Sequence, residues 1–169
     1  NVTSTIHPKA SLETQTVPIE NTHLSVASSA VLYGLSVYTV FPVISTKKGI
    51  ASLYLKDHYT RLINSSRIIG IDTFESEWNY ERFEKVVSEI VKANSITELS
   101  FVRATVHVVD LVPGTRSRGL KTMLSIFIYE ANPIIPQSGV RLKTSVWRRI
   151  PDYAIPSRAK VNGAYVNSV

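Results

Sequence analysis

Ser100-Phe101-Val102-Arg103-Ala104-Thr105-Val106-His107-Val108-Val109 is the stretch on which the fold turns. Val102, Ala104, Val106 and Val108 alternate with Arg103, Thr105 and His107, the period of a strand with one apolar and one polar face. Such a strand needs neighbours that bury the same face. Downstream, Thr122–Tyr129 and Val140–Trp147 read as further strands, separated by the loop Asp110–Gly119 and by a break at Asn132-Pro133, Pro136 and Gly139. Upstream, Val37 to Ile44 also alternates, and Pro42 restricts that strand to an edge or a bulge. Lys47-Lys48-Gly49 is a turn, and Ile50 to Leu55 returns to complete a hairpin.

Helical periodicity fills the space between. Phe83, Val86, Val87, Ile90 and Val91 share one face, opposite Arg82, Lys85, Glu89 and Lys92, with Asn94 as terminator. An earlier helix is expected from Asp57, as cap, to about Ile69, stopped by Gly70. Two helices among antiparallel strands make an α+β domain. The first twenty residues, with Pro8 and Pro18, read as an extended arm. The Pro/Gly-marked break sets a boundary: one α+β unit over residues 1–130, a linker over 131–139, and a second unit beginning at 140–169.

The chain has 169 residues, 44% hydrophobic and 19% charged, with a mean hydropathy of +0.05, which is globular composition. It has no cysteine, which excludes a disulfide scaffold, a cysteine–zinc site and a thiol nucleophile; a cytoplasmic location fits. The net charge of +6 is uneven: residues 100–169 hold ten Lys/Arg against three Asp/Glu. Leu24 to Thr46 lacks charge and is long enough to span a bilayer, but its five Ser, two Thr, Gly34 and Pro42 indicate a buried sheet region. No signal peptide is visible at Asn1, and the missing initiator Met implies a processed chain or a piece of a longer one. Asn1-Val2-Thr3 and Asn64-Ser65-Ser66 match a glycosylation sequon, a pattern common by chance.

GxSxG, HExxH, EF-hand and GxGxxG patterns are absent. Gly114 to Thr122 approximates a phosphate-binding loop with one residue too many before Lys121, and the run after it is a strand rather than the required helix. The four histidines form no i,i+4 pair, so no metal is expected. The polar face carrying Arg103 is either plain solvent exposure or the floor of a site for an anionic ligand.

Ile155-Pro156-Ser157-Arg158-Ala159-Lys160-Val161-Asn162-Gly163-Ala164-Tyr165-Val166-Asn167-Ser168 is the most specific string in the chain. It resembles the lysine segment of the class IV aminotransferases, the fold type IV pyridoxal-phosphate enzymes, and in particular their branched-chain members. Leu55-x-x-His58-x-x-Arg61-Leu62 resembles that family's phosphate-arginine helix, Phe101-Val102-Arg103 its aromatic-x-Arg strand, and Tyr33-Gly34-Leu35-Ser36-Val37-Tyr38 its Tyr-Gly-x-Ser-x-aromatic run. The four motifs stand in the family's order over residues 23–168.

The resemblance implies the small α+β domain of that fold, followed by the start of a second, mostly β domain. It implies pyridoxal 5'-phosphate as cofactor, held as a Schiff base on Lys160, whose freed amine then moves the substrate's α-proton. Arg61 would hold the cofactor phosphate, the bland alternative being a helix-surface ion pair with Asp57 at i−4. Tyr165 would bond the cofactor's phenolic oxygen. Tyr33, Tyr38, Val40 and Arg103 would bind substrate. Where branched-chain enzymes have Phe-Glu-Gly, this chain has Tyr38-Thr39-Val40, which leaves open a D-amino acid or (R)-amine transaminase or an aminodeoxychorismate lyase. The family also continues well past the Lys. The expected reaction is transamination between an amino acid and a 2-oxo acid, by a homodimer or higher oligomer, with residues 1–169 alone inactive. The rivals of another class are a non-catalytic fragment and a basic nucleic-acid-binding domain. Aromatic residues do not interleave with the basic ones as a stacking platform requires, so nucleic acid is not expected as a partner, and with Leu24–Thr46 read as sheet neither is a membrane.

Overall fold

The computed structural model describes residues 3–6, 14–112, 114, 116–132 and 135–168. Asn1, Val2 and Pro8 of the expected arm, Thr115 of the near-phosphate loop and Pro133 of the expected linker lie outside the described residues. Among the described residues an antiparallel sheet runs in the order β2-β1-β6-β5-β3-β4. Its strands are β1 (Thr3–Ile6), β2 (Gln15–Pro18), β3 (Ser36–Thr46), β4 (Gly49–Ser52), β5 (Ser100–Val108) and β6 (Thr122–Glu130). The helices are α1 (Ser29–Leu32), α2 (Leu55–Ile68), α3 (Thr73–Glu77) and α4 (Tyr80–Ala93), with short 3-10 turns at Ile19–Asn21 and Asn162–Ser168. None is long and apolar enough to cross a membrane.

The alternation in β5 sets the two sides of the sheet. Register pairs Val37 with Val106, Phe41 with Val102, and Ala104 with Ile126, so these residues share one face. That face is fully buried against Leu62 and Ile63 of α2 and Phe83, Val86, Val87, Ile90 and Val91 of α4. Each such aliphatic or aromatic side chain removed from water contributes about 1.5–3 kcal/mol. The opposite face carries Ser36, Tyr38 and Val40 of β3 beside Arg103, Thr105 and His107 of β5.

Several local expectations change. Asp57 does not cap α2: Tyr54, with φ 53°, stands at the cap, and Asp57 lies in the first turn, where its charge faces the positive end of the helix. Gly70, at φ 77°, does end it. Asn79 caps α4, its side chain accepting from the Arg82 amide at 2.9 Å. The arm holds two strands, because the free edge of β6 supplies β1 with a partner that a polar sequence cannot announce. No strand forms over Val140–Trp147; Leu142 and Val146 are 91% exposed, and no neighbouring strand is there to satisfy the backbone.

Pro42 lies at a local edge of β3, one residue before β4 begins to cover it at Val43. It pairs with Phe101 on one side, and on the other its carbonyl accepts from Leu53 N at 3.3 Å. The proline nitrogen faces that second side too, just past the end of β4 at Ser52, so the missing N–H falls where the ladder has stopped.

Candidate active site

Because β4 covers β3 only from Val43 onward, the first half of β3 has an uncovered edge, and the lysine string fills it. The Tyr38 amide donates to the Lys160 carbonyl at 3.0 Å, and Val161 bridges to Val37. The Lys160 amide donates to Ser65 Oγ on α2 at 3.0 Å, and that hydroxyl donates onward to the Arg61 carbonyl at 2.8 Å. Ala159 and Val161 are buried in the same apolar cluster as Val37 and Leu62. A Cβ on Gly34, at φ +64°, would lie 3.1 Å from Gly163 Cα, so this close approach of two backbones requires glycine.

The turn Asn162–Ser168 then brings Tyr165 back over the lysine. Lys160 Nζ donates to Tyr165 Oη at 2.5 Å and lies 5.1 Å from the centre of the Tyr38 ring. Burial pushes both phenols up, but in Tyr165 the hydrogen bonds from Lys160 and Tyr38 and the charges of Lys160 and Arg149 outweigh it and hold the group below its ordinary value. Tyr38 is raised, by burial first and then by its bond to Tyr165. The phenol beside the amine is thus the more readily ionised of the pair.

Arg103, on the same face of the sheet as Tyr38, also lies against its ring. Its guanidinium carbon is 3.8 Å from the Tyr38 ring centre, and its Nη2 donates to Asn162 Oδ1 at 3.1 Å. Val40 pairs with Arg103 in register. Tyr33, at the end of α1, is half exposed, and no hydrogen bond or ring contact joins it to Tyr38 or Lys160 among the described residues. Next along β5, His107 bridges Ser36 (3.3 Å) and Ser125 (2.8 Å) across three strands; burial, then Arg103, pushes its imidazole down to about 4.

Arg61 projects from α2 toward the other face of β3. Its Nη2 donates to Thr39 Oγ1 at 2.8 Å and lies 3.2 Å from His58 Nδ1, while its buried Nε has no partner. The ion pair with Asp57 does not form; among the described residues the ion pair shown is Arg67 with Glu75. A cleft of about 650 Å³ opens beside it, lined by Asp57, Thr60, Arg61, Asn64, Arg67 and Arg158 among others.

Lys160, Tyr165, Tyr38 and Arg103 are therefore brought together, with Arg61 tied to the lysine segment through Ser65. Sequence reasoning missed Thr39, His58, Ser65, Asn162 and Arg158. His58 and Asn162 stood inside quoted motifs without a role, whereas no periodicity singles out a serine whose partner is 95 residues away.

No protein-family model matches the chain. A probable branched-chain-amino-acid aminotransferase from Aquifex aeolicus is 29% identical over 162 residues, covering 94% of this chain and 51% of the relative. The crystal structure of a branched-chain aminotransferase from Thermoproteus uzoniensis with norvaline superposes with a TM-score of 0.83 at 25% identity, covering 98% of this chain and 53% of that one. That of the T.th. branched-chain amino acid aminotransferase with pyridoxamine 5'-phosphate gives 0.77 at 27%, over 98% and 53%. The chain spans about half the length of the relatives it matches. By sequence and by fold it is related to the branched-chain aminotransferases of fold type IV, and it corresponds to their N-terminal part.

Proposed function

We propose that the protein to which this chain belongs is a pyridoxal-phosphate-dependent aminotransferase exchanging an amino group between a branched-chain amino acid and a 2-oxo acid. The observation that carries this is the clamped lysine: Lys160 is pinned through its own backbone to β3 and α2, with its Nζ on the Tyr165 phenol. A surface lysine has no such fixed geometry.

The residues fit the cofactor. Arg61 has an orphaned buried Nε and no carboxylate partner among the described residues, so its charge is available to a phosphate. When bound, pyridoxal phosphate supplies an aldehyde carbon and an electron-withdrawing ring. Arg61 fixes the phosphate end. Lys160 Nζ takes and returns the substrate's α-proton, and the phenol of Tyr165 orients that amine. Arg103 draws the substrate carboxylate to the sheet face, where Tyr38 and Val40 line the approach; Tyr33 takes part from the rim. In this reading residues 1–130 are the small domain, 131–139 the linker and 140–169 the opening of the large domain. The whole protein works as a cytoplasmic homodimer or higher oligomer, and the described piece alone does not turn over.

The test is made in the full-length protein. Lys160→Ala should abolish amino transfer, and Arg61→Ala should weaken pyridoxal phosphate binding by about 2–3 kcal/mol, the scale of a lost charge-assisted contact. Undiminished turnover in Lys160→Ala would overturn the proposal.

A further inference from the structure

His58 stands one helical turn before Arg61 and meets it at the same hydroxyl. Its Nδ1 is 3.0 Å from Thr39 Oγ1 and 3.2 Å from Arg61 Nη2, and Arg61 Nη2 is 2.8 Å from Thr39 Oγ1. A guanidinium has only donors, so the Nδ1 that faces it must be the acceptor. Thr39 Oγ1 accepts from Arg61 and turns its own proton to His58. The single Nδ1 lone pair is then shared by Arg61 Nη2–H and the Thr39 hydroxyl as a three-centre acceptor, which requires a neutral imidazole with its proton on Nε2.

We infer that His58 is a positioning residue for Arg61: as a neutral acceptor it holds Nη2 against β3 and thereby aims the rest of the guanidinium, including the unpartnered Nε, at the phosphate end of the site. The inference rests on the reading of Arg61 as the phosphate anchor. Thr39 is 0% exposed and Phe41 packs on the imidazole at 5.3 Å between ring centres, so the ring has little room to turn away. Among the described residues the charged groups acting on it are Arg61 and Asp57, both on α2, and β3 presents the Thr39 hydroxyl and the Phe41 ring. Burial first, then Arg61, lower the imidazole's affinity for a proton, and Asp57 opposes them. Neither partner of Nη2 is an anion, so the grip leaves the positive charge of Arg61 undiminished for a ligand. Protonation would place an N–H at Nδ1 against the guanidinium and the hydroxyl, breaking the arrangement and adding a like charge.

The experiment measures pyridoxal 5'-phosphate affinity by calorimetry, from pH 5 to pH 8, in the full-length protein and in His58→Ala, His58→Asn and Arg61→Ala. The imidazole nitrogens of the ligand-free protein are followed by NMR. An Asn side-chain oxygen reproduces the Nδ1 acceptor and does not titrate. His58→Ala should weaken binding about tenfold, the equivalent of one lost hydrogen bond to a charged group, and His58→Asn should restore most of it. The wild-type affinity should fall on acidification more steeply than that of His58→Asn, which shares the ligand's own ionisation. NMR should show Nε2 protonated at neutral pH. If Arg61→Ala weakens binding while His58→Ala does not, or if both pH profiles coincide, His58 does not position Arg61. If Arg61→Ala itself binds normally, Arg61 is not the anchor, and the parent reading fails with it.

Discussion

Replacing Ser65 with Ala tests whether the lysine segment is held as described. The hydroxyl is 0% exposed; it accepts from the Lys160 amide at 3.0 Å and donates to the Arg61 carbonyl at 2.8 Å. The Arg61 carbonyl lies inside α2 and keeps its helical partner, so little is lost there. The Lys160 amide has no such substitute, and leaving it unsatisfied costs about 1–3 kcal/mol. Alanine recovers about 0.5 kcal/mol of helix propensity, for a net loss of about 0.5–2.5 kcal/mol. In a chain of this size that lowers the melting midpoint by about 1–10 °C. The assay that localises the effect is amide hydrogen exchange. Tyr38 N donates to Lys160 O, so a lifted segment exposes both amides at once. The amides of Lys160 and Tyr38 should lose protection together, by about tenfold beyond the global change, while Val102 and Ala104 follow only the global change. Unchanged protection at Lys160 with unchanged stability would refute the clamp.

Gly34→Ala should destabilise by about 1–3 kcal/mol in urea, because it sets a side chain at φ +64° and 3.1 Å from the Gly163 backbone; a change within about 0.3 kcal/mol would show that the two turns do not meet. His107 gives the acid limb of stability. Its folded value, about 4, lies below the ordinary 6.5, so the unfolded chain takes up the proton first. Its contribution is therefore complete above pH 6.5 and is lost as pH falls toward 4, by about 3 kcal/mol at most. His107→Gln should flatten that part of the denaturation midpoint against pH, and an equally steep limb in this variant would assign it to other groups.

The sheet was legible in its pattern, since β5 announces itself by alternation, β6 by a short apolar run between breaks and α4 by its apolar stripe. What escaped is what depends on partners distant in sequence. β1 is polar and becomes a strand only because β6 has an open edge. Val140–Trp147 has strand composition and no edge to join. In the site, Lys160, Tyr165, Arg61 and Arg103 stood out because motif order marked them. Thr39 and Ser65 did not, because a small hydroxyl in a strand or mid-helix has a local explanation until its partner is known. Asn162 stood beside the lysine with nothing to say that Arg103, 59 residues away, would reach it.

The site depends on the register of β3 more than on any single side chain. Thr39 faces α2 and holds Arg61, while Tyr38, one residue earlier, faces the other side and meets Arg103 and Tyr165. The edge between those faces receives Lys160. A strand that serves both faces and its edge within two residues tolerates no slip, because a shift of one residue would exchange the partners of Arg61 and Arg103. Pro42 fits that arrangement. Its missing donor falls where β4 stops, and the stop leaves the edge at Tyr38 open for the lysine segment. The chain leaves β4 for the left-handed Tyr54 and the start of α2 at Leu55, so β4 goes no further along β3. The proline stands where that neighbour ends, so its missing donor leaves no ladder bond unmade.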